Sequence, residues 1–86
     1  MSMTTRQKFE KMLFQNGMFE EQARKVMDQA IPVIEAISPD YRMTWDRPAD
    51  EYPDAIYSVL WPTVRKEALK WIDTNIPKAW FRGMFL

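Results

Sequence analysis

The sequence predicts an all-α fold: a small bundle of three to four helices, two of them proline-interrupted, with a long ordered central loop. Three observations predict it. Apolar residues recur at i, i+3, i+4 spacing through three separate stretches, the period of a helix face. Two glycines stand against six prolines, and the one Asn-Gly pair, Asn16-Gly17, has helical rather than alternating flanks. At 86 residues with 47% hydrophobic content the chain has the size of one domain, so residues 1–86 are read as a single helical domain.

The first helix is predicted from about Thr5 to Gln15. Thr4 with Gln7 three residues on fits a capping box, in which side chains satisfy the orphan amides of a helix start. Phe9, Met12 and Leu13 share one face, Phe14 lies at its edge, and Arg6, Lys8, Glu10 and Lys11 are left to solvent. Asn16-Gly17 is the stop.

Phe19 leads the second helix, with Glu20 and Glu21 at its positive N-terminal end. Ala23, Val26, Met27, Ala30, Ile31, Ile34 and Ile37 supply its apolar face. The period survives Pro32, although an interior proline costs about 3 kcal/mol. Unbroken spacing fits either one kinked helix or two abutting ones. Ser38-Pro39-Asp40 ends this element.

Residues 38–54 carry Pro39, Pro48 and Pro53 and are read as an ordered loop pinned by Trp45 and Tyr52. Tyr41, Met43 and Trp45 alternate with polar residues, but no second alternating run offers a strand partner. The third helix opens near Asp54, a good cap after Pro53, and Pro62 either interrupts it or starts a fresh helix. Asn75-Ile76-Pro77 stops it. Phe9, Leu13, Phe19, Val26, Ile34, Ile56, Leu60 and Trp61 are expected inside. The apolar tail, Trp80 to Leu86, either folds back on the bundle or lies on a partner or a second copy of the chain.

Composition removes whole classes of chemistry. With no His and no Cys, the chain has no thiolate or imidazole zinc site, no Cys or Ser-His nucleophile, no disulfide and no His-ligated haem. Two isolated glycines build no phosphate loop. Asp46, Asp50, Glu51 and Asp54 invite a glycosidase or magnesium reading, but they lack an Asp-x-Asp-x-Asp-Gly frame and are taken as loop carboxylates plus a helix cap. The chain is therefore expected to be non-enzymatic, with no catalytic residue, metal or cofactor. No run of about 18 apolar residues suggests a membrane span. No signal peptide is visible, so a cytoplasmic location is expected.

Charge is uneven along a chain of zero formal net charge. Residues 31–58 hold two cations against six anions; residues 59–86 hold five against two. Arg65, Lys66, Lys70 and Lys78, interleaved with Trp71 and Trp80, are thus the basis of an alternative reading as a small nucleic-acid-binding regulator.

Leu13 to Met27, with Gly17 and Ala23 six residues apart, resembles the first half of ubiquitin-associated domains. Asn16 replaces the family's Met, Met18 stands where Phe or Tyr belongs, and no third helix of the right length follows, so ubiquitin binding does not carry over. Across Thr4 to Glu10, Trp45-Asp46-Arg47-Pro48 and Ala79-Trp80-Phe81-Arg82 the chain resembles small accessory proteins of tailed bacteriophages. That resemblance implies a protein-binding inhibitor of a bacterial defence or transcription complex, working in the host cytoplasm on a bacterial or phage protein; it transfers no site residue. The expected contact surface joins Tyr41, Trp45, Arg47 and Tyr52 of the loop to Trp80, Phe81, Arg82 and Phe85 of the tail.

Overall fold

The computed structural model describes residues 3–39 and 45–75, and within them the chain is all-α. Its described helices are α1 (Thr5–Gln15), α2 (Glu20–Ile37) and α3 (Asp54–Asn75), with a 3-10 turn at Ala49–Glu51.

Both ends of α1 follow local rules. Thr4 Oγ1 accepts from the Gln7 amide at 3.2 Å while Gln7 Oε1 accepts from the Thr4 amide at 2.9 Å, the reciprocal pair of a capping box. At the far end Gly17 takes φ 106°, a left-handed conformation that a Cβ would oppose. Its amide donates to the Phe14 carbonyl at 3.0 Å, and the Met18 amide to that of Leu13 at 3.1 Å. This is a Schellman motif, and Met18 and Leu13 are both buried in the same apolar cluster.

Helix α2 runs unbroken through Pro32, which settles the open choice in favour of one helix. Helix α3 likewise continues through Pro62. Both prolines are exposed, so the carbonyls they strip of an amide donor lie toward water.

Helix α2 packs on both α1 and α3. Phe9, Leu13, Val26, Met27, Ile34 and Ile72 fill the space between them and are essentially inaccessible. Phe9 stands against Tyr57 at 5.0 Å between ring centroids and against Trp45 at 6.2 Å, both tilted.

Four expected core residues are placed differently. Phe19 is 66% exposed: it is the N-cap of α2, with extended backbone (φ −73°, ψ 153°), so it stands outside the helical register that buries Ala23 and Val26. Ile56, Leu60 and Trp61 are half-buried, at the flanks of the α3 stripe formed by Tyr57, Val64 and Ala68.

The 3-10 turn is tied to the start of α1 rather than to another loop. The Thr5 amide donates to the Arg47 carbonyl (2.9 Å), the Ala49 amide to that of Met3 (2.9 Å), and the Arg6 amide to that of Trp45 (3.2 Å). Thr4 and Pro48 form an isolated antiparallel bridge. The loop's backbone partner, which no alternating run in the sequence marks, is thus the N-terminal segment.

Candidate functional site

The loop residues expected to contact a partner divide sharply once folded. Trp45 is 6% exposed, with its indole against Phe9 and its Nε1 donating to Glu35 Oε1 at 3.2 Å. In this conformation its surface is spent on the core. Arg47 is exposed, and its guanidinium Nη2 meets Glu51 Oε1 at 2.8 Å. That hydrogen bond and the Glu51 charge raise the Arg47 pKa above its ordinary value. Tyr52 is half-buried, packed on the core with one edge open. Tyr41, Trp80, Phe81, Arg82 and Phe85 lie outside the described residues.

Tyr52 borders an open hollow of about 630 Å³ between α1, the 3-10 turn and the start of α3. Met3, Met12, Ala49, Tyr52 and Pro53 give it an apolar lining. Lys8 and Lys11 stand on the α1 wall, Asp50 and Asp54 across from them. Lys8 Nζ is held 3.0 Å from Asp54 Oδ1 and 4.1 Å from the Tyr57 ring centroid, so this cation is positioned by the first turn of α3. A volume of this size falls within the range of ligand and side-chain pockets.

Helix periodicity alone leaves Lys8 and Lys11 to solvent and does not connect them with the loop; in the fold Lys8 is half-buried, Lys11 is exposed, and both line the hollow. A signal was present: Lys8, Met12 and Gln15 repeat at i, i+4, i+7 beside the core stripe. Only the fold, however, brings residues 49–54 alongside them. Four large hydrophobic side chains are also exposed among the described residues: Phe14 59%, Phe19 66%, Ile37 69% and Val59 71%.

No protein-family model, curated protein or solved structure matches the chain.

The residues of the nucleic-acid reading are dispersed in role. Lys66 is exposed, Arg65 is half-buried, and Lys70 Nζ lies 3.3 Å from the carboxylate of buried Glu67. Lys78 lies outside the described residues. Among the described residues no group of acidic side chains converges on a cation position, and no helix is long and apolar enough to cross a membrane.

Arg6 performs a structural task nearby. It binds Glu10 at 2.8 Å, Asp28 at 2.6 Å and the Arg24 carbonyl at 2.9 Å, lashing α1 to α2. Burial works against its charge, but the hydrogen bonds to Glu10 and Asp28 outweigh it and raise its pKa.

Proposed function

We propose that this chain is a non-enzymatic protein-binding module that blocks a surface of a bacterial or phage protein in the host cytoplasm. The observation that carries the reading is the hollow beside Tyr52. Adaptable Met3 and Met12 line it together with charged Lys8, Lys11, Asp50 and Asp54, an anatomy suited to a partner side chain. The resemblance to bacteriophage accessory proteins supplies the class of target, a bacterial defence or transcription complex. On this reading the whole chain is a bundle of three to four helices. Its ordered central loop and C-terminal residues Trp80, Phe81, Arg82 and Phe85 complete the contact surface around Arg47 and Tyr52.

The experiment is affinity capture from a bacterial lysate, read by mass spectrometry, with wild type beside Tyr52→Ala, Arg47→Ala and the double variant Trp80→Ala/Arg82→Ala. The expected result is a protein captured by wild type and lost from the variants while their helical circular dichroism is unchanged. Capture indifferent to all of them, or collapse of the tail variant's fold, overturns the assigned surface. Retention of nucleic acid that falls steeply with salt would point instead to Lys66 and Lys70.

A further inference from the structure

Helix α1 is a ridge between two hollows. Gln7, Lys11 and Phe14 follow one i, i+4, i+7 row on the side opposite buried Thr5, Phe9 and Leu13. On one flank is the Tyr52 hollow; on the other is a second of about 460 Å³, bordered by Phe14, Glu20 and Arg24. Lys11 borders both.

The Tyr52 hollow has walls of opposite sign. Lys8 and Asp54 satisfy one another across it. Lys11 and Asp50 are exposed, and neither enters an ion pair or side-chain hydrogen bond among the described residues. A ligand of a single charge sign would be attracted by one wall and repelled by the other.

A surface with a ridge beside a groove, and with both signs facing, is complementary to itself. We infer that the occupant of the Tyr52 hollow is a second copy of this chain, in a two-fold symmetric dimer. A two-fold rotation drops the α1 ridge of each copy into the hollow of the other, the geometry by which helical ridges fill grooves. Lys11 of each copy then faces Asp50 of the other. Phe14, 59% exposed in one copy, gains Met3, Met12, Tyr52 and Pro53 of the second copy as its lining. Zero formal net charge means that no long-range repulsion opposes the approach of like copies.

This inference rests on the hollow being the contact surface proposed above, for which a second copy and an outside target compete; it is tested on the purified chain alone, so a failed dimer leaves lysate capture untouched and a failed capture leaves the dimer untouched. Sedimentation equilibrium is run on wild type, on Lys11→Glu, on Asp50→Lys, and on an equimolar mixture of the two variants. The expected result is a concentration-dependent wild-type dimer. Each reversal places like charges opposite one another twice and raises the dissociation constant at least tenfold. The mixture recovers the dimer, because Glu at 11 then meets Lys at 50 while Lys11 still meets Asp50. Wild-type dimerisation also weakens as salt is raised, a reading that needs no substitution. A wild type that stays monomeric into the millimolar range overturns the inference. So does a dimer indifferent to both reversals or to salt, or a mixture that stays monomeric.

Discussion

The Tyr57 hydroxyl donates to the Ala49 carbonyl at 2.7 Å in the interior, joining α3 to the 3-10 turn across eight residues. The same ring packs on Phe9 and lies 4.1 Å from Lys8 Nζ, so one side chain sets the spacing of α1, α3 and the turn. Tyr57→Phe keeps the ring and leaves the carbonyl only the long bond from the Tyr52 amide, at 3.5 Å. A stability loss of about 1–3 kcal/mol is expected, read as a lower urea midpoint at unchanged slope.

Phe9 and Phe19 are chemically identical and placed oppositely, at 0% and 66% exposure. Phe9→Ala empties the contact with Tyr57 and Trp45 and is expected to cost about 3–5 kcal/mol. That is a large share of the roughly 4–13 kcal/mol typical for a domain of this length. Phe19→Ala is expected to cost about 1 kcal/mol or less. Parallel denaturant titrations separate the two outcomes directly.

Pro32 sits inside α2, exposed, where the Asp28 carbonyl would otherwise receive its amide. Pro32→Ala restores that donor but frees the unfolded chain. An interior proline penalty of about 3 kcal/mol less an entropic offset near 1 kcal/mol leaves a net gain of about 2 kcal/mol. A thermal melt shifted downward would show that the restriction proline places on the unfolded chain outweighs the restored hydrogen bond.

Glu67 is buried at 4% exposure on α3, where Gln29 Nε2 donates to its Oε1 at 3.2 Å and Lys70 lies alongside. Desolvating a carboxylate offsets much of what these contacts return. Glu67→Met, similar in volume, is expected to fall within about 1 kcal/mol of wild type or above it. A loss beyond about 3 kcal/mol in chemical denaturation would assign Glu67 a decisive part in the α2–α3 register.

Thr4 caps α1 and stands next to the backbone bridge to Pro48. Thr4→Ala removes one acceptor for the Gln7 amide. About 1 kcal/mol of stability is expected to be lost, with earlier hydrogen exchange at the first turn of α1 than at its centre.

Several outcomes whose deciding interaction spans three or four residues were determined by the sequence itself. The Thr4–Gln7 capping box, the Asn16-Gly17 stop, the extent of α1 and the buried stripe through Ala23, Val26, Ala30 and Ile34 all follow from helix periodicity and terminal hydrogen bonding. Tertiary structure decided what depends on residues distant in the chain. It turned Trp45 from a candidate contact into core by offering Phe9 and Glu35 as partners, and it set exposed Lys11 across a hollow from residues 49–54. It also buried Glu67 beside Gln29, 38 residues away. Periodicity assigns a side chain to a face of its own helix. What that face meets depends on which distant segment covers it, and no local pattern encodes that.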